Sequence, residues 1–327
     1  MTIQILLKLG AASALSVAMA LPATAQKFPE RPVRLIVPFA PGGQNDLVGR
    51  MWAQKVTPIL GQVIVENRGG AGGSIGSAEV ARANPDGHTL LLGNTTTVVI
   101  NPVAMTRPTY DPLKDLVPIA IVTTVPTVIV VHPSMPAKTL KQLIGFAKAH
   151  PGKLSYGSAG AGSITHFTGE LLKIKGGDLD IVHIPYKGAG PGLTDLIAGH
   201  IPVYTPILSA GPLEYHRSGR LRMLAVNSEK RVSVAPEIPT AIEGGLPGMV
   251  VENFNAVLAP GGTPKAVIDQ LNAATLKAIA DAEFQKNLRS TGADPVTDST
   301  PEKATRFVRE EIKRWTPIIR RTGFKID

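Results

Sequence analysis

The groups best suited to chemistry in this sequence are backbone amides in glycine turns. Residues 34–50, RLIVPFAPGGQNDLVGR, join an apolar run that predicts a buried strand to a glycine turn and then to a helix starting near Asn45. In such a unit, unpaired N–H groups point outward at the positive end of the helix dipole. We predict that this turn binds one carboxylate of a small solute. Asp46 would repel that carboxylate, so we expect it to cap or orient its own loop.

Three further segments carry glycines and hydroxyls where a predicted strand ends: residues 93–96, 158–163 and 186–190. Their N–H and O–H groups favour a bound carboxylate. Lys187 is the one cation among them and is either a partner for a second carboxylate or a solvated loop lysine. Ser163 is a predicted helix N-cap, and His166 either supports the turn or contacts the ligand. The predicted ligand-binding residues are Phe39, Ala40, Pro41, Gly42, Gly43, Asn45, Asn94, Thr95, Ser158, Ala159, Gly160, Gly162, Ser163, His166, Tyr186, Lys187, Gly188 and Thr205.

Enzymatic motifs are weak by comparison. Residues 72–76, GGSIG, match the G-x-S-x-G pattern, so a secreted serine hydrolase using Ser74 is the alternative function. Several glycines separate this serine from the preceding predicted strand, whereas a nucleophile elbow follows its strand directly. Gly70, Gly72 and Gly76 are spaced one residue too far apart for a dinucleotide fingerprint, and the seven histidines lack metal-ligand spacing. We therefore expect no catalytic residue, no metal and no cofactor.

Composition limits the classes of protein that this chain can be. A length of 327 residues with 43% hydrophobic and 18% charged residues indicates a globular protein that is long enough for two domains. The absence of cysteine excludes disulfides and thiolate metal sites. The net charge is +9, but the basic residues are scattered and aromatic residues make up 5%, which argues against nucleic-acid binding. A modest positive charge suits an anionic solute instead.

Residues 1–25 predict a secretory signal peptide. Lys8 is their only charge, an apolar run follows, and Pro22 precedes the small-residue site Ala23-Thr24-Ala25. Cleavage before Gln26 would give a soluble, exported protein. An uncleaved membrane anchor is the alternative, although the apolar run is short for one.

The remaining elements alternate between strands and helices, which predicts an α/β protein with a mostly parallel sheet. Ligands bind such sheets outside the carboxyl ends of the strands. Residues 117–131 are too long for one strand and predict two, with a crossover near residues 124–127. Thr263 and Pro264 predict the cap and first residue of a helix that runs to about Ser290. A last helix should begin after Thr300-Pro301.

Several segments together resemble the Bug family, the extracytoplasmic solute receptors of tripartite tricarboxylate transporters. The similarity covers the mature chain in order. It rests on residues 34–46 (RLIVPFAPGGQND), 65–76 (VENRGGAGGSIG), 83–93 (ANPDGHTLLLG), 156–166 (YGSAGAGSITH), 184–188 (IPYKG), 221–228 (LRMLAVNS) and 258–264 (LAPGGTP).

This resemblance implies a type II-like periplasmic binding protein, with two α/β domains of mixed sheets joined by a hinge of two crossovers. The first domain would contain residues 26–125 and 226–327, and the second residues 126–225. The implied ligand is a small organic acid held largely by backbone N–H groups, and the implied partners are membrane permease subunits. We also expect a periplasmic monomer that does not bind nucleic acid. Residues 201–206, IPVYTP, depart from the family pattern at the edge of the predicted cleft.

Overall fold

A computed structural model describes residues 28–327 of the chain, so the predicted signal peptide lies outside the described residues. Within this range, no helix is both long enough and apolar enough to cross a bilayer. The strands are β1 Val33–Val37, β2 Val63–Asn67, β3 Thr89–Asn94, β4 Leu116–Pro126, β5 Val128–Val131, β6 Leu154–Ser158, β7 Ile181–Pro185, β8 Val203–Tyr204, β9 Arg222–Val226, β10 Glu252–Pro260 and β11 Asp294–Pro295. The helices are α1 Gln44–Leu60, α2 Ser74–Ala81, α3 Asn101–Ala104, α4 Leu140–Ala149, α5 Ile164–Lys175, α6 Ala189–Ile197, α7 Ala210–Arg217, α8 Lys265–Ala280, α9 Ala282–Ser290 and α10 Pro301–Thr322.

The strands form two mixed sheets with the same plan. The first has the order β11-β4-β10-β3-β1-β2, with β1 parallel to both neighbours and β10 antiparallel to β3 and β4. The second has the order β7-β6-β8-β5-β9, with β6 parallel to β7 and β8, and β5 antiparallel to β8 and β9. The predicted α/β class with mixed sheets is therefore confirmed. The mostly parallel sheet predicted from the alternation of strands and helices is wrong, because β4, β5, β9, β10 and β11 pair only in the antiparallel direction.

Two crossovers connect the sheets and lie side by side. The first is at Thr127, between β4 and β5, inside the segment where the sequence predicts a crossover. The second follows Val226 at the end of β9. The Thr127 hydroxyl donates to the Val251 carbonyl oxygen at 3.1 Å and accepts from Asn227 Nδ2 at 2.9 Å. These bonds join the two crossovers at one point, while the domain limits at residues 125/126 and 225/226 stay a prediction.

Apolar sequence runs form the centres of the sheets. Leu35, Ile36 and Val37 of β1 are fully buried on both faces, as expected for a strand between two parallel neighbours covered by helices. On one face, Trp52 of α1 is buried and donates from Nε1 to Thr275 of α8 at 3.2 Å. On the other, one cluster of buried side chains extends from the first sheet through α10 into the second domain. The two domains therefore share a continuous core beside the crossovers.

Two helix predictions need correction. The helix predicted from Pro264 to about Ser290 is two helices, because Asp281 leaves the helical conformation and caps α9 by accepting from the Phe284 N–H. Thr263 is not the cap of α8, since its hydroxyl donates to the Pro260 carbonyl oxygen and the helix starts at Lys265. Short polar side chains compete with helical hydrogen bonds in this way.

Candidate functional site

A cavity of about 790 Å³ lies between the two domains, at the carboxyl ends of the parallel strands. Gly43, after β1, and Gly160 and Gly162, after β6, line the same space, so the structure brings the two predicted glycine turns together. The predicted site residues that line it are Phe39, Gly43, Asn45, Asn94, Ala159, Gly160, Gly162, Ser163, Lys187 and Gly188.

The cavity has a positive lining. The cap residues of three helices border it: Gly43 for α1, Ser163 for α5 and Gly188 for α6. Lys187 and Lys325 add two cationic side chains, and no aspartate or glutamate is among the lining residues of the described chain. Each helix start carries a partial positive charge of roughly half an elementary charge. The site therefore favours an anion.

Asp46 orients the first turn, as predicted. Its carboxylate accepts from the Gly42 N–H at 2.9 Å, from Arg50 Nε at 3.0 Å and from Asn67 Nδ2 at 2.9 Å. Burial acts to raise the pKa of Asp46, but the hydrogen bonds from Arg50, Gly42 and Asn67 outweigh it and hold that pKa below its ordinary value. Asp46 does not line the cavity, and its negative charge is paired with donors of its own loop and of its neighbours Arg50 and Asn67.

The backbone donors differ in part from those predicted. The N–H groups of Gly42, Ala159, Gly160, Gly162 and Gly188 all donate to acceptors within the protein. These include the Thr165 hydroxyl for Ala159 at 2.9 Å and the Ala159 carbonyl oxygen for Gly188 at 3.0 Å. These glycines shape the turns, and their N–H groups are already used.

Other backbone N–H groups on the cavity wall remain unused. Within residues 28–327, the N–H groups of Gln44, Ala161 and Thr165 make no hydrogen bond. Gln44 and Thr165 belong to the first turns of α1 and α5, where the helix itself provides no acceptor. The N–H groups of Gly43 and Asn45, two of the predicted residues, likewise make no hydrogen bond in the described part of the chain. The donors available to an anion therefore include these two predicted residues as well as the neighbours of the other predicted glycines.

A stacked histidine pair supports the second turn from behind. The rings of His166 and His183 lie 4.0 Å apart at 14°, and Ser158 Oγ shares a hydrogen bond with His183 Nε2 at 2.7 Å. His166 Nδ1 accepts from the Gly162 N–H at 3.2 Å. Burial lowers the pKa of His166 to about 3 and that of His183 to about 4. Both rings are neutral at neutral pH, and His166 holds the turn without lining the cavity.

The predicted residues that the structure places outside the cavity wall are Ala40, Pro41, Gly42, Thr95, Ser158, His166, Tyr186 and Thr205. Ala40, Pro41 and Gly42 are exposed residues of the first turn. Thr95 is buried and its hydroxyl accepts from the Phe254 N–H at 3.0 Å, while Thr205 donates to the Thr165 carbonyl oxygen at 2.8 Å. Tyr186 donates its hydroxyl hydrogen to an aspartate of α6. These side chains hold the turns in place.

Several lining residues were missed by sequence reasoning: Gln44, Ala71, Gly72, Thr96, Asn101, Ala161, Ile164, Thr165, Ile207, Asn253, Phe324, Lys325 and Ile326. The last three form the C-terminal tail. Ile326 pairs with the first domain through its N–H to the Ala104 carbonyl oxygen at 2.9 Å, and the Phe324 ring meets His166 of the second domain edge-on at 5.0 Å. No local pattern marks this tail, whereas Ala71 and Gly72 could have been found because they follow β2 at the same sheet edge.

Ser74 has none of the surroundings of a nucleophile. It is 3% exposed, and within residues 28–327 its hydroxyl accepts a hydrogen bond from Asn101 Nδ2 at 2.9 Å and donates one to Met105 Sδ at 3.9 Å. No histidine is among these partners, so the hydrolase alternative has no support. The described part of the chain also contains no group of three or more acidic or histidine side chains able to hold a metal.

Two α/β domains enclosing an anion-favouring cavity define a periplasmic-type solute-binding protein. The family model for the tripartite tricarboxylate transporter family receptor, TctC, matches residues 48–324. The chain belongs to this family, whose members are receptors and not enzymes.

Relatives and solved structures agree with this assignment. The chain is 38% identical over 310 residues to Protein BugT of Bordetella pertussis, covering 94% of each chain. It is similar to the structure of MatC from Rhodopseudomonas palustris with bound malate, with 32% identity, a TM-score of 0.80, and 89% of this chain and 100% of MatC covered. It is also similar to R. palustris Rpa4515 with adipate, with 32% identity, a TM-score of 0.82, and 91% and 99% covered.

Proposed function

We propose that this protein is exported to the periplasm, where it captures a small organic carboxylate in the cavity between its domains. It then delivers the acid to the permease subunits of a tripartite transporter or to a sensory partner. The observation that carries the proposal is the cavity wall: three helix N-termini and two lysines border it, and no carboxylate does among the described residues.

The helix starts supply donors from both domains. On the first domain, the unused N–H of Gln44 lies at the start of α1. On the second domain, the unused N–H of Ala161 lies just before α5 and that of Thr165 lies in its first turn. A carboxylate accepts several hydrogen bonds at once, and charge-assisted bonds are about twice as strong as neutral ones. One acid can therefore bridge the domains.

Closure of the two domains about the crossovers strengthens these hydrogen bonds to the carboxylate. The two connections meet at Thr127, so rotation there moves the α1 start relative to the α5 start. As the domains approach, water leaves and each hydrogen bond gains strength in the lower dielectric. The ligand shifts an equilibrium toward the closed form because only that form offers both sets of donors.

The relatives favour the same ligand class. MatC holds malate and Rpa4515 holds adipate, and both acids are dicarboxylates. Lys187 and Lys325 offer positive charge for a second carboxylate in addition to the helix starts. We propose that the protein acts as a monomer, with one acid bound per chain.

Calorimetric titration of the mature protein with small mono-, di- and tricarboxylates tests the proposal. At least one acid should bind, with an affinity that falls as salt is added, because part of the attraction is between exposed charges. The Lys187→Gln variant should bind that acid roughly threefold more weakly, the size expected for an exposed cation. Lys153→Gln, at an exposed position outside the cavity, is the matched control and should bind normally. Failure of the whole panel would reject carboxylate capture.

A further inference from the structure

Residues 324–326 of the C-terminal tail contact both domains. Backbone hydrogen bonds fix them to the first domain: the Ile326 N–H donates to the Ala104 carbonyl oxygen at 2.9 Å, and the Ile326 carbonyl oxygen accepts from the Thr106 N–H at 2.9 Å. Through these bonds Ile326 forms a parallel bridge with Met105. The backbone of the tail is therefore part of the first domain.

Two side chains of the tail lie against the glycine turn of the second domain that precedes α5. A Cβ added at Gly162 would be 3.2 Å from Phe324 Cε1 and 3.3 Å from Ile326 Cδ1, so both side chains contact this turn. The Phe324 ring also meets the His166 ring edge-on at 5.0 Å and the Phe167 ring edge-on at 5.8 Å. The tail thus packs on the second turn and on the histidine that holds it.

The two attachments of the tail differ in kind. In the described part of the chain, no hydrogen bond joins residues 324–326 to the second domain. A rotation about the crossovers that opens the cavity therefore leaves the tail on the first domain and separates Phe324 and Ile326 from the second turn. Both side chains are half-buried in the present arrangement. Opening exposes their apolar surface to water, which is unfavourable.

We infer that the C-terminal tail is a clasp, which favours the closed arrangement of the two domains before a ligand binds. Phe324 and Ile326 are positioning residues that hold the second glycine turn opposite the first. Because only the closed arrangement offers both sets of donors, the clasp raises the fraction of free protein that is ready to bind. This inference rests on the domain closure described in the proposed function, and it does not depend on the nature of the solute.

A distance between two spin labels tests the clasp in the ligand-free mature protein. The chain contains no cysteine, so Gln54→Cys on α1 and Thr194→Cys on α6 create two unique labelling sites. Both positions are exposed and lie outside the cavity wall. The two helices belong to different domains and each starts beside the cavity, so pulsed electron paramagnetic resonance of the labelled pair reports the ratio of open to closed forms.

The double variant Phe324→Ala, Ile326→Ala removes both contact side chains and keeps the backbone bonds of the tail to the first domain. Its ratio of open to closed forms should be roughly tenfold higher than that of the wild-type sequence, because the apolar contacts that oppose opening are lost. Phe324→Leu keeps an apolar side chain of comparable length at the contact. It should stay within about threefold of the wild-type ratio.

Arg321→Gln is the matched control, because it breaks another link between the domains close to the tail. Arg321 forms an ion pair with Asp178 of the second domain, and the two side chains are 55% and 71% exposed. Ion pairs between exposed side chains contribute little. The control should therefore stay within about threefold of the wild-type ratio, although it removes an interdomain contact.

The clasp is wrong if the double variant keeps the wild-type distribution, or if Arg321→Gln or Phe324→Leu opens the protein as much. A shift of the double variant to shorter separations also overturns it, since the tail would then hold the domains apart. Ile326→Ala alone should give about threefold more open form and decides the matter if the double variant does not fold. No acid is present in these measurements, so their failure leaves carboxylate capture standing, and failure of the calorimetric panel leaves the clasp standing.

Discussion

Replacing Asp46 with asparagine tests whether the first turn depends on a buried carboxylate. The Asp46 side chain is 3% exposed and accepts from Gly42, Arg50 and Asn67. Asparagine keeps one oxygen but puts an NH₂ group where the other stood. The Asn67 amide cannot rotate to offer its oxygen to this new donor. Its Nδ2 also donates to the Phe39 carbonyl oxygen at 3.0 Å, and its Oδ1 accepts from Arg50 at 3.1 Å.

The variant therefore loses one hydrogen bond to a charged group and leaves a donor unpaired. Hydrogen bonds to charged groups are worth about 1.5–3 kcal/mol, and Arg50 is 51% exposed, so its ion pair adds little. We expect the free energy of unfolding to fall by about 2 kcal/mol at pH 7, measured by urea denaturation. Asp281→Asn is the control: Asp281 is a 40% exposed helix cap, and asparagine caps helices equally well.

The pH dependence gives a second, independent readout. The pKa of Asp46 is lowered in the folded protein, so its contribution to stability is present above the unfolded pKa and is lost as pH falls through the folded pKa. The stability difference between wild type and Asp46→Asn should accordingly narrow as pH falls below about 4, the ordinary pKa of an aspartate. Equal stability of the two proteins at pH 7, or a difference that stays constant in acid, would refute this account of the turn.

Three further perturbations probe the surroundings of the site. Truncation after Gly323 removes the tail from the cavity wall and should weaken binding of any carboxylate by at least about tenfold in calorimetry, while unchanged affinity would show that the tail is dispensable. Burial lowers the pKa of His183 to about 4, so the free energy of unfolding of the wild-type protein should fall as pH drops from about 6.5 to 4. In denaturation experiments across this range, His183→Asn should reduce the change in that free energy by up to about 1.4 kcal/mol per pH unit. Gly169→Ala places a Cβ 2.0 Å from a buried tyrosine ring and should lower the free energy of unfolding by about 1–3 kcal/mol or more. At Gly145 no atom of residues 28–327 outside its chain neighbours and its own helix backbone lies within 4 Å of an added Cβ, so Gly145→Ala should stabilise the protein slightly. Equal effects of the two substitutions would contradict the packing argument.

Local sequence was sufficient for most of the elements. The apolar run before Pro38 is a fully buried strand, and Ser163 caps its helix through its side-chain oxygen, as predicted. Asp46 could be assigned to its loop because a carboxylate at a helix start is a local feature. Asp281 shows where this approach fails, since a capping residue inside an otherwise helical pattern splits the helix.

The cavity wall was predictable only in part. Turns that follow parallel strands meet at one sheet edge, so the glycine turns after β1 and β6 could be proposed as partners from the sequence. Which N–H groups in those turns remain free was not proposed. Gly42, Gly160 and Gly162 give theirs to side chains within four residues in the chain, and the sequence does not show whether such a side chain turns back to its own loop or points into the cavity.

The sequence by itself determined the class of fold, the family and the positive character of the turns, because strand runs, glycine turns and helix starts are properties of neighbouring residues. Only the tertiary structure decided that Asn253 and the C-terminal tail reach the same cavity. It also decided that the buried amide oxygens of three lining residues have no hydrogen-bond partner within residues 28–327. The reason is that these contacts join segments distant in the chain, whose meeting depends on how the sheets and helices pack and not on any local pattern.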